Sequence, residues 1–278
     1  MIITPKPNTK QLQSFTKTVW DYYHTHGRHD LTWRHDTSPY SIVVSEIMLQ
    51  QTQVTRVMTK YASFMKKFPN WKKLAQASVS EVLSEWKGLG YNRRGLALHN
   101  IAKIVTETCK GTLPQDLEQL EALPHIGPNT ARSISAFAFN IPVTFIETNV
   151  RTVFIHHFFK DKTAVHDKQL MPLIEKTVDQ TRPREWYWAL MDYGSHLKQT
   201  LGNLSRQSTH YKKQSAFKGS NREFRSKILT LIHEKSRTEH ELEKIFHESF
   251  DKEALMKNLH DMKREGFIKN ERNMWKIV

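Results

Sequence analysis

From about Thr9 to Lys198, apolar side chains recur every three to four positions. Leu12, Phe15, Val19 and Tyr22 show this spacing, as do Leu96, Ile101, Ile104 and Val105, and it lines one face of a helix. The segments are short. They are cut by Gly27, Pro39, Pro69, Gly88, Gly90, Gly111, Pro114, the pair Gly127-Pro128, Pro142 and Pro183, residue types that end helices or open turns. Strand-type alternation is scarce, so the pattern predicts an all-α region of about ten short helices.

Residues 203–222 break the pattern. They carry Arg206, Lys212, Lys213, Lys218 and Arg222, no acid, and many small polar residues. This reads as a basic linker or a phosphate-facing loop. Beyond it an amphipathic helix starts near Phe224, two more are predicted over 239–250 and 253–265, and the final residues have the look of a hairpin around 270–273. Three helices followed by a hairpin outline a winged-helix-like module. The expected domains are therefore a core over 1–202, a basic linker over 203–222 and a C-terminal module over 223–278.

Charge narrows the partner. The chain has 278 residues and a formal net charge of +14, with a sequence pI near 9.7. That excess favours a polyanion, nucleic acid first, because lysines and arginines that neutralise phosphates release condensed counterions. No run reaches the roughly 18 apolar residues of a membrane span, and the first residues lack a signal-peptide pattern. A cytoplasmic protein without membrane contact is expected, nucleoid-associated if bacterial, and monomeric. The single cysteine, Cys109, excludes an internal disulfide and any multi-cysteine metal or iron–sulfur site, and reads as a packing residue.

Three segments carry candidate chemistry. Residues 45–54, Ser-Glu-Ile-Met-Leu-Gln-Gln-Thr-Gln-Val, place Glu46 on a helical face with Ile42, Leu49, Gln50 and Gln53. A carboxyl group held there resists ionisation, which suits a general acid. Leu123-Pro-His-Ile-Gly-Pro-Asn-Thr-Ala-Arg separates a helix predicted over 116–122 from one starting near Asn129. Such a hairpin turns backbone N–H groups toward a phosphate without reading a base. Glu147 follows the apolar run 143–146 and precedes a helix predicted over 150–159; read alone, it is a helix N-terminal acid of the kind the macrodipole stabilises.

Together with Trp33-Arg34, Pro39-Tyr40, Gly88-Leu-Gly-Tyr91 and Leu98-His99, these segments stand in the order and spacing of the helix-hairpin-helix (HhH-GPD) DNA glycosylases. Within that superfamily, residues 10–198 most resemble the adenine DNA glycosylases, the MutY type. The resemblance implies a two-lobed helix-hairpin-helix core and excision of a flipped base by hydrolysis of its N-glycosidic bond in base-excision repair. It implies that Glu46 protonates the leaving base and that Glu147 supports the oxocarbenium-like sugar. Asn129, Trp33, Arg34 and Leu49 would line the base pocket. Gln50, Gln51, Thr52, Tyr91, His125, Ile126, Gly127, Asn129 and Thr130 would contact DNA, and Lys212 and Lys213 would take over backbone contacts from the missing cluster loop.

The chain departs from the family in four places. Glu147 is one methylene longer than the usual aspartate. Asn129 replaces the lysine by which bifunctional relatives form a Schiff base, so a monofunctional enzyme without AP-lyase activity is expected. After Met191-Asp-Tyr-Gly194 the usual four-cysteine loop is replaced by Lys198 and the basic segment. The residues after Asn221 are too few and too helical for the β-rich domain that recognises 8-oxoguanine. No cofactor is expected beyond a monovalent cation at the hairpin, and the expected partner is double-stranded DNA with a mismatched or damaged base. Three functions stay open: removal of adenine opposite 8-oxoguanine or guanine, removal of thymine, uracil or another deaminated base opposite guanine, and non-catalytic DNA binding.

Overall fold

A computed structural model describes residues 5–160, 162–247 and 251–278. Among them the fold is almost wholly helical. In chain order the helices are α1 (Thr9–His26), α2 (Thr32–His35), α3 (Pro39–Leu49), α4 (Val54–Lys67), α5 (Trp71–Ala75), α6 (Val79–Trp86) and α7 (Arg93–Glu107). There follow α8 (Leu117–Glu121), α9 (Pro128–Phe139), α10 (Thr148–Phe158), α11 (Asp167–Thr177) and α12 (Pro183–Leu201). After a 3₁₀ turn at Leu204–Gln207 come α13 (Asn221–Glu234), α14 (Glu239–Phe246), α15 (Lys252–Arg264) and the antiparallel pair β1 (Ile268–Glu271) and β2 (Met274–Ile277). No described helix is long and apolar enough to cross a membrane.

Two compact units form. One comprises the residues up to Glu46 and Leu113–Lys213, the other Ile47–Thr112 and Gln214–Val278. In the first, α12 packs on α1, α9 and α10, and its buried Trp186, Tyr187, Ala189, Leu190 and Leu197 form one wall of the core. The opposing walls are Phe15 and Val19 of α1, Ile134 and Phe137 of α9, and Val153 and Phe154 of α10. A buried ion pair fixes the loop after α1: Arg34 makes two 2.8 Å bonds to Asp192 on α12, and Arg28 binds the same carboxylate through its side chain at 2.6 Å and its backbone at 2.8 Å.

The second unit includes the C-terminal module. Val79 and Leu83 of α6 and Leu96 of α7 share one buried cluster with Phe224, Ile228, Leu255, Leu259, Met262, Phe267 and Trp275. Each fully buried side chain of this size contributes about 1.5–3 kcal/mol, so these helices and the module stabilise each other. Arg93 and Arg225 both bind the Glu265 carboxylate. The hairpin turns on Arg272 and Asn273, both at positive φ, the geometry of a two-residue turn between antiparallel strands.

Several boundaries differ from the sequence reading. Among the described residues, twelve helices, not about ten, lie between Thr9 and Leu201. The stretch 45–54 is not one helix: α3 stops at Leu49, and Gln53 caps the start of α4 rather than sharing a face with Glu46. Residues 203–209 are folded rather than a free linker. Asn203 caps the 3₁₀ turn, Ser205 is buried, and backbone bonds from Val165 to Gln207 (2.9 Å) and from Thr209 to Val165 (3.0 Å) hold the strand of chain that follows. The helix predicted over 239–250 ends at Phe246; Glu248, Ser249 and Phe250 lie outside the described residues.

Candidate active site and DNA-contacting loops

In the first unit, three helix ends bring acids and amides together. The segment leading to Glu147 has no regular secondary structure, and Phe145 and Ile146 are buried in it. Tyr187 of α12 stacks on Phe145 at 4.0 Å between ring centroids, donates to the Val143 carbonyl at 2.8 Å and accepts from the Phe145 amide at 3.3 Å. This anchoring sets where the chain turns into α10. There Glu147 is the N-cap, and its Oε1 accepts from the backbone N–H groups of Asn149 (2.6 Å) and Val150 (2.9 Å). The second oxygen, Oε2, accepts from the Asn149 side-chain amide at 3.3 Å.

Asn149 is itself held. Lys198 of α12 donates to its Oδ1 at 2.7 Å. One turn earlier on α12, Gly194 lets the two helices touch: a Cβ there would lie 2.5 Å from the Asn149 carbonyl oxygen. Burial lowers the pKa of Lys198, the Glu147 charge raises it and Arg151 lowers it further.

Glu46 lies near the end of α3 in this unit, only partly accessible to solvent. Ser133 of α9 donates to its Oε2 at 2.5 Å. Burial pushes the Glu46 carboxyl up to about 7, the Ser133 hydrogen bond pulls it down, and the Glu147 charge raises it. Two carboxyl groups more than a hundred residues apart in sequence thus act on each other electrostatically, one disposed to hold a proton near neutral pH and the other fixed by a helix N-terminus.

The hairpin is built as α8, a turn and α9, with Leu120, Leu123 and Ile126 buried beneath it and Arg132 bridging to Glu121 at 3.1 Å. Gly127 is the N-cap of α9 with no side-chain cap, and Pro128 follows as the first helical residue. The first turn of α9 therefore has backbone donors that no cap side chain satisfies. His125, Gly127 and Asn129 are exposed, while Thr130 is half-buried. His125 adopts φ 61°, a left-handed conformation that costs a non-glycine residue about 1–2 kcal/mol. Trp33 is buried, and Arg34 points into the protein toward Asp192 rather than into an open pocket. Lys212 and Lys213 are exposed at the end of this unit.

The other candidate contact residues lie in the second unit, where Leu49 and Gln50 are half-buried and Gln51 is exposed. One buried arginine organises them. Arg94 of α7 donates to the carbonyls of Ile47 and Met48 at 3.0 Å each and to that of Gln50, fixing the end of α3. It also donates to Thr52 Oγ1 (2.9 Å) and to the carbonyls of Leu89 (3.1 Å) and Gly90 (3.0 Å). Gln51 (φ 54°) and Tyr91 (φ 48°) are both left-handed, so each tip is a strained turn over-determined by its neighbours. The Tyr91 ring lies 5.3 Å from the Arg94 guanidinium and 4.8 Å from that of Arg222, and its hydroxyl accepts from Arg222 and Gln214.

Sequence reading missed Ser133, Asn149 as a ligand of Glu147, Arg94, and the Arg222 and Gln214 contacts. For Arg94 the available signal was its position three residues after Gly88-Leu-Gly-Tyr91; a serine on a helix gives none. A four-cysteine cluster does not fit these residues: Cys109 lies in the second unit and Lys198 follows Gly194 in the first. Among the described residues no group of three or more His, Cys, Asp or Glu is placed to hold a metal ion.

Comparison with known proteins adds the following. Residues 44–180 match the family model described as HhH-GPD superfamily base excision DNA repair protein. The chain is 34% identical over 185 residues to an adenine DNA glycosylase of Buchnera aphidicola subsp. Baizongia pistaciae, covering 65% of this chain and 52% of that protein. It is 36% identical over 152 residues to the adenine DNA glycosylase of Mycobacterium tuberculosis, covering 54% and 50%, and 34% identical over 197 residues to the human one, covering 66% and 36%. The chain thus spans about half the length, or less, of the curated relatives it matches. A thermostable thymine-DNA glycosylase is similar in structure, with a TM-score of 0.59, 25% identity and coverage of 67% of this chain and 87% of that one. A trapped endonuclease III–DNA covalent intermediate, at 16% identity, TM-score 0.54 and coverage of 76% and 92%, shares the fold.

Proposed function

Because the chain belongs, through residues 44–180, to the HhH-GPD superfamily of base excision DNA repair proteins, we propose that it is a monofunctional DNA glycosylase. It hydrolyses the N-glycosidic bond of adenine mispaired with 8-oxoguanine or guanine, after the base has been flipped out of double-stranded DNA. The observation that carries this reading is Glu46: a carboxyl group pushed up to about 7 by burial, in the same unit as Glu147, whose charge it feels. A base leaves a sugar readily only when it departs neutral, so protonation by an acid that still holds its proton near neutral pH lowers the barrier. Positive charge then grows on the sugar, and the Glu147 carboxylate, fixed by Asn149 and Val150, is a preformed counter-charge. Water completes the hydrolysis. Asn129 has no amine to form a Schiff base, so the abasic site is left uncut.

The similarity to adenine glycosylases from bacteria and from human favours adenine. Likeness to a thymine-DNA glycosylase supports a second reading, in which thymine or uracil opposite guanine is the substrate. In either case the start of α9, the tips at Gln51 and Tyr91, and Lys212 and Lys213 supply DNA contacts, and the enzyme acts as a monomer. Single-turnover incubation with duplexes containing 8-oxoguanine:A, G:A, G:T and G:U, followed by alkali, separates the two. Abasic sites only at adenine support the first and only at a pyrimidine the second. Tight binding without product, or wild-type rate in Glu46→Gln, refutes both.

A further inference from the structure

Ser133 is 5% exposed and stands between two acceptors. Its hydroxyl lies 2.5 Å from Glu46 Oε2 and 3.0 Å from the Thr130 carbonyl one turn back on α9. A hydroxyl has one proton to donate, so it serves one acceptor at a time. Which one is preferred depends on Glu46. When that carboxyl is protonated on Oε1, Oε2 is an ordinary carbonyl oxygen, matched in strength by the Thr130 carbonyl; when it is ionised, Oε2 is a charged acceptor and draws the shorter, stronger bond.

We propose that Ser133 is a positioning residue for the acid, a hydroxyl that swings from the Thr130 carbonyl to Glu46 Oε2 as Glu46 gives up its proton. The inference rests on the reading of Glu46 as the acid. In the step itself, the Glu46 O–H bond breaks and an N–H bond forms on the base. The C1′–N bond breaks with its electron pair leaving on the base, and the pair of the former O–H bond stays on the carboxylate. Water then bonds to C1′ and loses its proton to solvent. The Ser133 interaction is stronger after proton transfer than before, so it favours the transition state over the resting state rather than both equally.

The same geometry accounts for the balance of forces at Glu46. Burial and the Glu147 charge, from the N-terminus of α10, disfavour ionisation, and Ser133, from α9, opposes them. Lys198 on α12 interacts with the Glu147 charge and also with Arg151 on α10, which is paired to Asp167. Without Ser133 the acid would hold its proton more tightly.

The test is a direct titration of Glu46 in the full chain by carboxyl ¹³C NMR, assigned by loss of the signal in Glu46→Gln. Ser133→Ala is expected to raise the midpoint by about one pH unit, since a hydrogen bond to the charged form is removed. Ser133→Cys, a weaker donor of similar size, should fall between the two. In single-turnover excision the alkaline limb of the rate–pH profile should move the same way, with a maximal rate lowered about tenfold. An unmoved midpoint in both variants overturns the proposal, even if bases are released. A moved midpoint in a protein that releases no base from any duplex supports the coupling while refuting the assigned reaction.

Discussion

Lys198 donates its ammonium proton to the side-chain carbonyl of Asn149, and the amide of the same Asn149 donates to Glu147. The chain of contacts fixes the orientation of Asn149: with Oδ1 held by a cation, Nδ2 must face the carboxylate. Lys198 follows Gly194 where the chain departs from the four-cysteine loop usual in the family it resembles, and from α12 it steadies the N-terminus of α10.

Lys198→Met should therefore lower single-turnover excision about tenfold, a modest misplacement of a reacting carboxylate being enough for that. In an Asn149→Leu background the same change should add little, because both act through one path. Additive losses in the double variant would show that Lys198 acts elsewhere.

Glu46 makes the fold depend on pH. Its ordinary value of 4.5 rises to about 7 on folding, so the folded state holds the proton more tightly. The stabilisation is complete below about 4.5 and is lost as pH rises through about 7, a span worth roughly 3 kcal/mol. Glu46→Gln should be catalytically impaired by about a hundredfold to ten-thousandfold. It should nonetheless be more stable than the parent at about pH 8 and no more stable at about pH 4.5. Urea denaturation at the two pH values checks this; equal stability at both would mean that the buried acid carries no cost.

Much of this arrangement could be read from the chain, and the limits have physical reasons. Glu46 was legible because an acid on an apolar helical face is conspicuous, and Glu147 because an acid before a helix suits an N-cap. The terminal hairpin was legible from the short alternating segments around residues 270–273. What could not be read were pairings across distance: Arg34 with Asp192, Lys198 with Asn149, and Ser133 with Glu46 are 158, 49 and 87 residues apart. Local periodicity says nothing about such pairs. The helical period also ran through Leu49 without a break, because the turn at Gln50–Thr52 is imposed by Arg94 from another helix and not by a glycine or proline.

The C-terminal module should prove integral to its unit rather than an appendage. Leu96 on α7 and Leu259 on α15 belong to one buried cluster. Truncating either to alanine should cost about 2–5 kcal/mol. Deleting residues 221–278 should strip the cover from Val79, Leu83 and Leu96 and abolish amide protection across α6 and α7 in hydrogen exchange. Intact protection of those helices in the truncated chain would contradict the shared core.

Gly194 tests the placement of Glu147 most directly. An added Cβ would meet the Asn149 carbonyl oxygen at 2.5 Å and its Cβ at 2.7 Å, and since neither is the far end of a flexible side chain, α10 and α12 must separate. Gly194→Ala should cost about 1–3 kcal/mol through overpacking. It should also shift the cap formed by Glu147, Asn149 and Val150, and a displacement near 1 Å lowers the rate about a hundredfold. The two effects are separable by measuring excision well below the variant's melting temperature, where every molecule is folded. A rate loss there is what a displaced carboxylate requires. A lowered melting temperature with unchanged rate would mean that the N-terminus of α10 has no part in the chemistry.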